Sequence, residues 1–111
     1  MIKSMNTAFP VLSALTLAAL VLSAAPAQAG PLERGCLGSE RKLASRALCA
    51  CIQQVADGTL NRRDQRMAAR FFKRPHLAQE IRQSERPQHE VFWKRYHAFG
   101  DRVARVCAPY G

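Results

Sequence analysis

Apolar residues recur at helical spacing along most of the chain. In the stretch ERKLASRALCACIQQVAD, Leu48, Cys51 and Val55 fall on one stripe, which is the pattern of an amphipathic helix. Asp57 and Gly58 follow, and a glycine there indicates the end of the helix. No stretch alternates apolar and polar residues as a half-buried strand does. The pattern therefore predicts an all-α fold.

Three further helices are predicted after the first. The second begins after the cap Asn61 and ends before Pro75, which starts a short third helix because proline suits the first helical position. The last begins at Pro87 and carries an aromatic stripe, in which Gly100 predicts a kink or a helix restart. The predicted fold is a small bundle of three or four helices cross-linked by two disulfides. Its core side chains from the second helix onward are Leu60, Met67, Ala68, Phe71, Leu77, Ile81, Phe92, Tyr96, Phe99, Val103 and Val106.

The N-terminal part of the chain has the pattern of a bacterial export signal. Lys3 is its only charged side chain, and the apolar stretch over residues 11–25 is shorter than the roughly 20 residues that span a bilayer. The small-residue triplet that ends at Ala29 fits a cleavage site. We therefore predict a signal peptide over residues 1–29, a single helical domain over residues 30–111, and a periplasmic or secreted protein.

The four cysteines, all in the predicted domain, are expected to form disulfides, because their number is even and the chain leaves the reducing cytoplasm. Cys49 and Cys51 lie two residues apart on a helix and point about 200° away from each other, so they cannot bond together. Cys51 faces the core that the last helix also faces. This geometry favours the bonds Cys36–Cys49 and Cys51–Cys107, and the other pairing stays an alternative.

Metal, redox and enzyme chemistry find little support in the sequence. The segment from Cys49 to Cys51 lacks the C-x-x-C spacing of thioredoxin-like enzymes, although thiolates suit copper(I), so thiol redox or copper handling stays an alternative. His89 and His97 are two helical turns apart and cannot bind one metal ion together. There is no catalytic serine, phosphate-loop or zinc-protease motif. We predict no catalytic residue, no metal site and no cofactor.

The charge of the predicted domain is strongly basic. Loss of Lys3 with the signal leaves 16 basic and 8 acidic side chains, a formal net charge of +8. Such a charge attracts acidic partners, and we predict an acidic protein or an anionic membrane surface. Nucleic acid fits the charge but not the predicted location, so it is not expected.

The candidate partner-binding residues form two groups. Arg62, Arg66, Arg70 and Lys73 recur at i, i+4, i+8 and i+11 on the second helix, roughly opposite its apolar side. A tryptophan between cations on the last helix is the second group, since exposed aromatics anchor interfaces. The alternatives are a basic face that is only solvated and a tryptophan that widens the core. The full candidate set is Arg62, Arg63, Arg66, Arg70, Lys73, Arg74, Trp93, Lys94 and Arg95.

The stretch DQRMAARFFKRPHLAQEIRQS, with RALCACIQQVAD and the terminal FWKRYHAFG, resembles a family of short exported bacterial proteins with four cysteines. The resemblance covers nearly the whole predicted domain. Some members carry the label "arginine transporter", which implies a role in arginine uptake but supplies no binding motif. A domain without hydrophobic spans cannot be the carrier itself, so the resemblance implies at most an accessory role beside a transporter.

The sequence thus leads to one main functional hypothesis and two alternatives. The protein is expected to act by binding an acidic partner or surface outside the cytoplasm. An accessory role in arginine transport and a role in thiol redox or copper handling are the alternatives.

The predicted processing can be checked by the intact mass of the exported protein. We expect the mass of residues 30–111 less four hydrogens, with no uptake of a thiol label before reduction, because cleavage and two disulfides are both predicted. Labelling of two or more thiols would contradict the disulfides and reopen the redox or copper alternative.

Overall fold

The computed structural model describes residues 28–39 and 44–111, and this part of the chain is all-α, as predicted. Its five α-helices are α1 (Pro31–Leu37), α2 (Arg46–Thr59), α3 (Arg62–Lys73), α4 (Pro75–Arg82) and α5 (Pro87–Val106), followed by a 3-10 turn at Ala108–Tyr110. Most of the predicted signal peptide, and residues 40–43 of the predicted first helix, lie outside the described residues. No helix in the described ranges has the length and apolar character needed to cross a membrane.

The boundaries of two helices differ from those predicted. Helix α2 begins after Ser45, whose Oγ accepts a hydrogen bond from Leu48 N at 3.0 Å. It continues through Gly58, so the predicted end there is one residue early, and Leu60 N closes the helix on a carbonyl of its last turn. Helix α5 runs through Gly100 as one element, so the predicted restart is absent.

Helix α1 is the element that the sequence pattern did not predict. It has seven residues, begins with Pro31 after Gly30, and packs on both α2 and α3. Its cap comes from another helix: Gln53 Oε1 on α2 accepts hydrogen bonds from the backbone N–H groups of Leu32 and Glu33, at 2.9 and 3.1 Å. The first turn of α1 is therefore satisfied by a tertiary contact and not by a local capping residue.

The same glutamine joins three helices. Gln53 Nε2 donates to Asp57 Oδ1 and to Gln65 Oε1 on α3, both at 2.8 Å. Gln65 Nε2 in turn reaches the carbonyl of Leu60 at 3.1 Å, and both glutamines are 6% exposed. At Gly30, an added Cβ would lie 2.3 Å from the Gln53 side chain, so glycine lets the backbone approach this closely. Every buried side-chain polar atom in the described ranges has a hydrogen-bond partner.

The core lies between α5 and the other helices and is built around aromatic rings. Phe71 on α3 meets Phe92 and Tyr96 on α5 edge-on, with ring centroids 6.0 and 5.1 Å apart. These pairs add attraction beyond the burial of apolar area. One predicted core residue, Val106, is 50% exposed because it lies at the end of α5. The buried apolar cluster is Leu32, Cys51, Val55, Ala56, Leu60, Ala68, Phe71, Ile81, Phe92, Phe99 and Cys107.

Both predicted disulfides are present. Cys36 on α1 is bonded to Cys49, and Cys51 is bonded to Cys107 just after α5. The two cysteines of α2 thus face different neighbours, as the helical geometry predicted, and tie this helix to both ends of the domain. The bridges span 13 and 56 residues of sequence, and no cysteine of the domain is free.

The two bridges are expected to differ in their contribution to stability. Each should stabilise the fold by about 2–4 kcal/mol, and the longer loop by roughly 1 kcal/mol more, because it removes more conformational freedom from the unfolded chain. Urea unfolding of the double variants Cys36→Ser/Cys49→Ser and Cys51→Ser/Cys107→Ser, compared with the unaltered protein, measures both effects. A larger loss of unfolding free energy in Cys36→Ser/Cys49→Ser than in Cys51→Ser/Cys107→Ser would contradict this order.

Candidate functional site

The basic residues predicted on the second helix lie on the exposed side of α3. Arg62, Arg63, Arg66, Arg70 and Lys73 are all exposed, as is Arg74 at the end of the helix. The opposite side of α3 is in the core, where Ala68 and Phe71 are 2% and 7% exposed. Within the described ranges, none of the six basic groups forms an ion pair with a carboxylate. Among the described residues, the charged side chains on the exposed side of α3 are therefore all positive.

The single acidic residue of α3 does not offset this charge, because it points inward. Asp64 is 5% exposed, and its carboxylate binds the Arg95 guanidinium on α5 through two hydrogen bonds of 2.5 and 3.1 Å. The hydrogen bond to Asp64 raises the pKa of Arg95 above its ordinary value, so this group stays charged. The first turn of α3 is also a favourable place for a negative charge.

The candidates on α5 are placed differently from those on α3. Arg95 is engaged with Asp64, so its charge is already matched within the fold. Trp93 is half-buried and packs on Tyr96 with ring centroids 5.3 Å apart, which is the alternative in which it widens the core. Lys94 is exposed and lies 4.0 Å from Glu90, a weak surface pair. The α3 residues are thus the stronger candidates for contact with a partner.

A groove between α1 and α3 collects several of these basic groups. It has a volume of about 440 Å³ and we call it the α1–α3 groove. Arg34 contributes from α1, and Arg66, Arg70 and Lys73 contribute from α3 at i, i+4 and i+7. No acidic residue of the described ranges lines it. The complete lining is Pro31, Arg34, Gly35, Arg66, Ala69, Arg70 and Lys73.

A second hollow, of about 680 Å³, lies beside the groove and has a mixed character. Arg34 and Arg66 line both hollows, but this one also contains the carboxylates of Glu33 and Asp57 and the Gln53 amide. We call it the polar cavity. With Arg62, its lining has three arginines and two carboxylates, whereas the charged groups of the α1–α3 groove are all positive. In the described part of the chain, no cluster of three His, Cys, Asp or Glu side chains is placed to hold a metal ion.

The contribution of α1 to this surface was missed by the sequence reasoning. Arg34 was not a candidate, because α1 was not predicted and its contact with α3 is made only in the folded domain. A local signal exists: Pro31 at a helix start and Gly38 seven residues later are typical of a short helix. That signal would place Arg34 on a helix, but not beside α3.

Comparison of the chain with protein-family models, curated proteins and solved structures found no match.

The pair between Asp64 and Arg95 is expected to be asymmetric in its effect on stability. The Asp64 side chain is 6% exposed and the Arg95 side chain 42%. Arg95→Met therefore strands a buried carboxylate, whereas after Asp64→Asn the arginine can turn to solvent. We expect a larger fall in the midpoint of thermal unfolding, of several degrees, for Arg95→Met than for Asp64→Asn.

The double variant Asp64→Asn/Arg95→Met supplies the control for this comparison. Its midpoint of thermal unfolding should be higher than that of Arg95→Met, because the double variant no longer has the buried, unpaired carboxylate. Equal losses for the two single variants would mean that the carboxylate is not isolated from solvent as the structure indicates.

Proposed function

We propose that this protein is exported and acts by binding an acidic partner or surface through the exposed side of α3. The observation that carries the proposal is the division of charge on this helix: its one carboxylate, Asp64, is buried against Arg95, while the basic residues from Arg62 to Arg74 face solvent. A solvated helix face usually mixes both signs of charge, and an unmixed one favours association with negative partners.

The proposed location outside the cytoplasm rests on two features. The sequence of residues 1–29 has the pattern of a cleaved export signal. Both disulfides are consistent with an oxidising, extracytoplasmic compartment, since such bonds rarely persist where thiols are kept reduced. The acidic partners in that setting are anionic membrane surfaces and acidic proteins.

The alternatives are less well supported by the side chains. Thiol redox or copper handling starts from free thiolates, and all four cysteines are bonded in pairs. The accessory role in arginine transport stays a prediction from the resemblance.

The proposed function is tested by the salt dependence of binding. Calorimetry would measure binding to vesicles that contain phosphatidylglycerol and to polyglutamate, at low and at high NaCl concentration. We expect binding at low salt that weakens as salt screens the charges. No salt-sensitive binding to either probe would contradict the proposal.

A matched pair of variants locates the binding face. Arg62→Gln/Arg66→Gln/Arg70→Gln removes three charges from α3, and Arg86→Gln/Arg102→Gln/Arg105→Gln removes three exposed charges elsewhere. A basic residue near an anionic membrane contributes about 1 kcal/mol, so the α3 variant should bind such vesicles about 100-fold more weakly at low salt. The second variant should lose much less, and equal losses would mean that α3 is not the binding face.

A further inference from the structure

The α1–α3 groove differs from the rest of the positive surface in being concave and lined by one sign of charge. Arg34, Arg66, Arg70 and Lys73 border a volume of about 440 Å³, which lies within the range of roughly 300–1,000 Å³ that is usual for small-molecule sites. The polar cavity beside it has three arginines but also holds Glu33 and Asp57, whose carboxylates would repel an anionic ligand. Of these two hollows, the groove is thus the one whose charged groups all favour an anion.

Small residues between the two helices make the groove possible. Gly35 lets α1 approach α3 closely, since an added Cβ would lie 2.8 Å from the Phe72 ring and 3.3 Å from the carbonyl oxygen of Ala69. Ala69 also lines the groove, where a longer side chain would fill the space. The long basic side chains on either side of this contact therefore border an open hollow.

The number and origin of the basic groups indicate the chemistry of the ligand. One guanidinium can satisfy the two coplanar oxygens of a carboxylate. A phosphate group presents its oxygens in several directions and is matched by several donors, of which arginine is the preferred one. Three guanidinium groups and one ammonium group, supplied by two helices, fit the second case.

The hydrogen bonding of the Arg34 guanidinium is also compatible with binding of a phosphate group. Its Nη1 donates to the carbonyl oxygen of Ala29, a residue that lines the polar cavity, and Arg34 itself lines both hollows. Cleavage after Ala29, as the sequence predicts, would remove this acceptor and free all the N–H groups of Arg34 for a ligand.

We propose that the α1–α3 groove binds the phosphate group of an anionic ligand, with Arg34, Arg66, Arg70 and Lys73 as its donors. This inference rests on the proposed function, because it names the chemical group that the basic side of α3 recognises. A phospholipid headgroup and a soluble phosphate ester carry the same group.

The test compares two variants that remove equal charge from α3. Arg66→Gln/Arg70→Gln changes the groove, whereas Arg63→Gln/Arg74→Gln changes exposed residues that line neither the groove nor the polar cavity. Calorimetry with the purified disulfide-bonded protein measures binding to vesicles of phosphatidylglycerol in phosphatidylcholine and to glycerol 1-phosphate. For whichever probe binds, both variants lose general attraction to anions, and the groove variant should bind at least about tenfold more weakly than the control variant, because its arginines also donate to the phosphate group.

Each outcome separates this inference from the proposed function. Equal weakening in both variants would overturn the groove and leave the α3 surface as a diffuse binding face. No binding of either phosphate probe by the unaltered protein would overturn the groove, and the polyglutamate measurement would then decide the proposed function. Binding of vesicles alone, lost in the groove variant, would identify the lipid headgroup as the source of the phosphate group. Binding of glycerol 1-phosphate, lost in the same way, would identify a soluble ester.

A variant that keeps the charge unchanged tests the shape of the groove. Ala69→Leu fills the hollow, and we expect it to weaken phosphate binding at least about tenfold without changing the salt dependence. Thermal unfolding shows whether the Ala69→Leu domain still folds, and if it does not, the charge variants above decide.

An NMR titration of the unaltered protein tests the proposed donors directly. The signals of the Nε–H groups of Arg34, Arg66 and Arg70 should shift with glycerol 1-phosphate or with the vesicles. Identical shifts with NaCl of matched ionic strength would overturn the proposal.

Discussion

The position of α1 depends on one buried amide. The Gln53 side chain accepts hydrogen bonds from two N–H groups of the first turn of α1 and donates to Asp57 and Gln65. A seven-residue helix is too short to be stable alone in water, so α1 needs such tertiary contacts. The bond between Cys36 and Cys49 holds its other end. The groove on α3 exists because these two contacts keep α1 in place.

Helix α3 carries different chemistry on its two sides. Its inner side packs Phe71 against α5, and its first turn places Asp64 under Arg95, so both apolar and ionic contacts fix it to the same neighbour. Its outer side carries the basic residues, which face solvent. Repulsion among these exposed charges is weak because solvent and salt screen it, and the two disulfides offset it by constraining the unfolded chain.

The parts of the structure that follow a local rule could be predicted, and those made by distant contacts could not. Apolar spacing identified α2 to α5, and the angular separation of Cys49 and Cys51 led to the correct pairing. The cap of α1 lies 21 residues away in sequence, and Arg95 lies 31 residues from Asp64. The spacing of apolar residues along one helix does not indicate contacts between residues so far apart in the sequence. The basic side of α3 was therefore predicted, whereas Arg34 and the pairing of Arg95 became known only from the folded domain.

The bond between Cys36 and Cys49 has a consequence for when the groove can form. One wall of the groove belongs to α1, and this bond is the covalent tie between α1 and the bundle. In a reducing compartment that tie is open, and a helix of this length has little structure of its own. Oxidation thus acts as an assembly step for the concave basic surface. If the chain is exported as proposed, it would complete this surface only after leaving the compartment that contains most of the cell's nucleic acid and soluble phosphate esters.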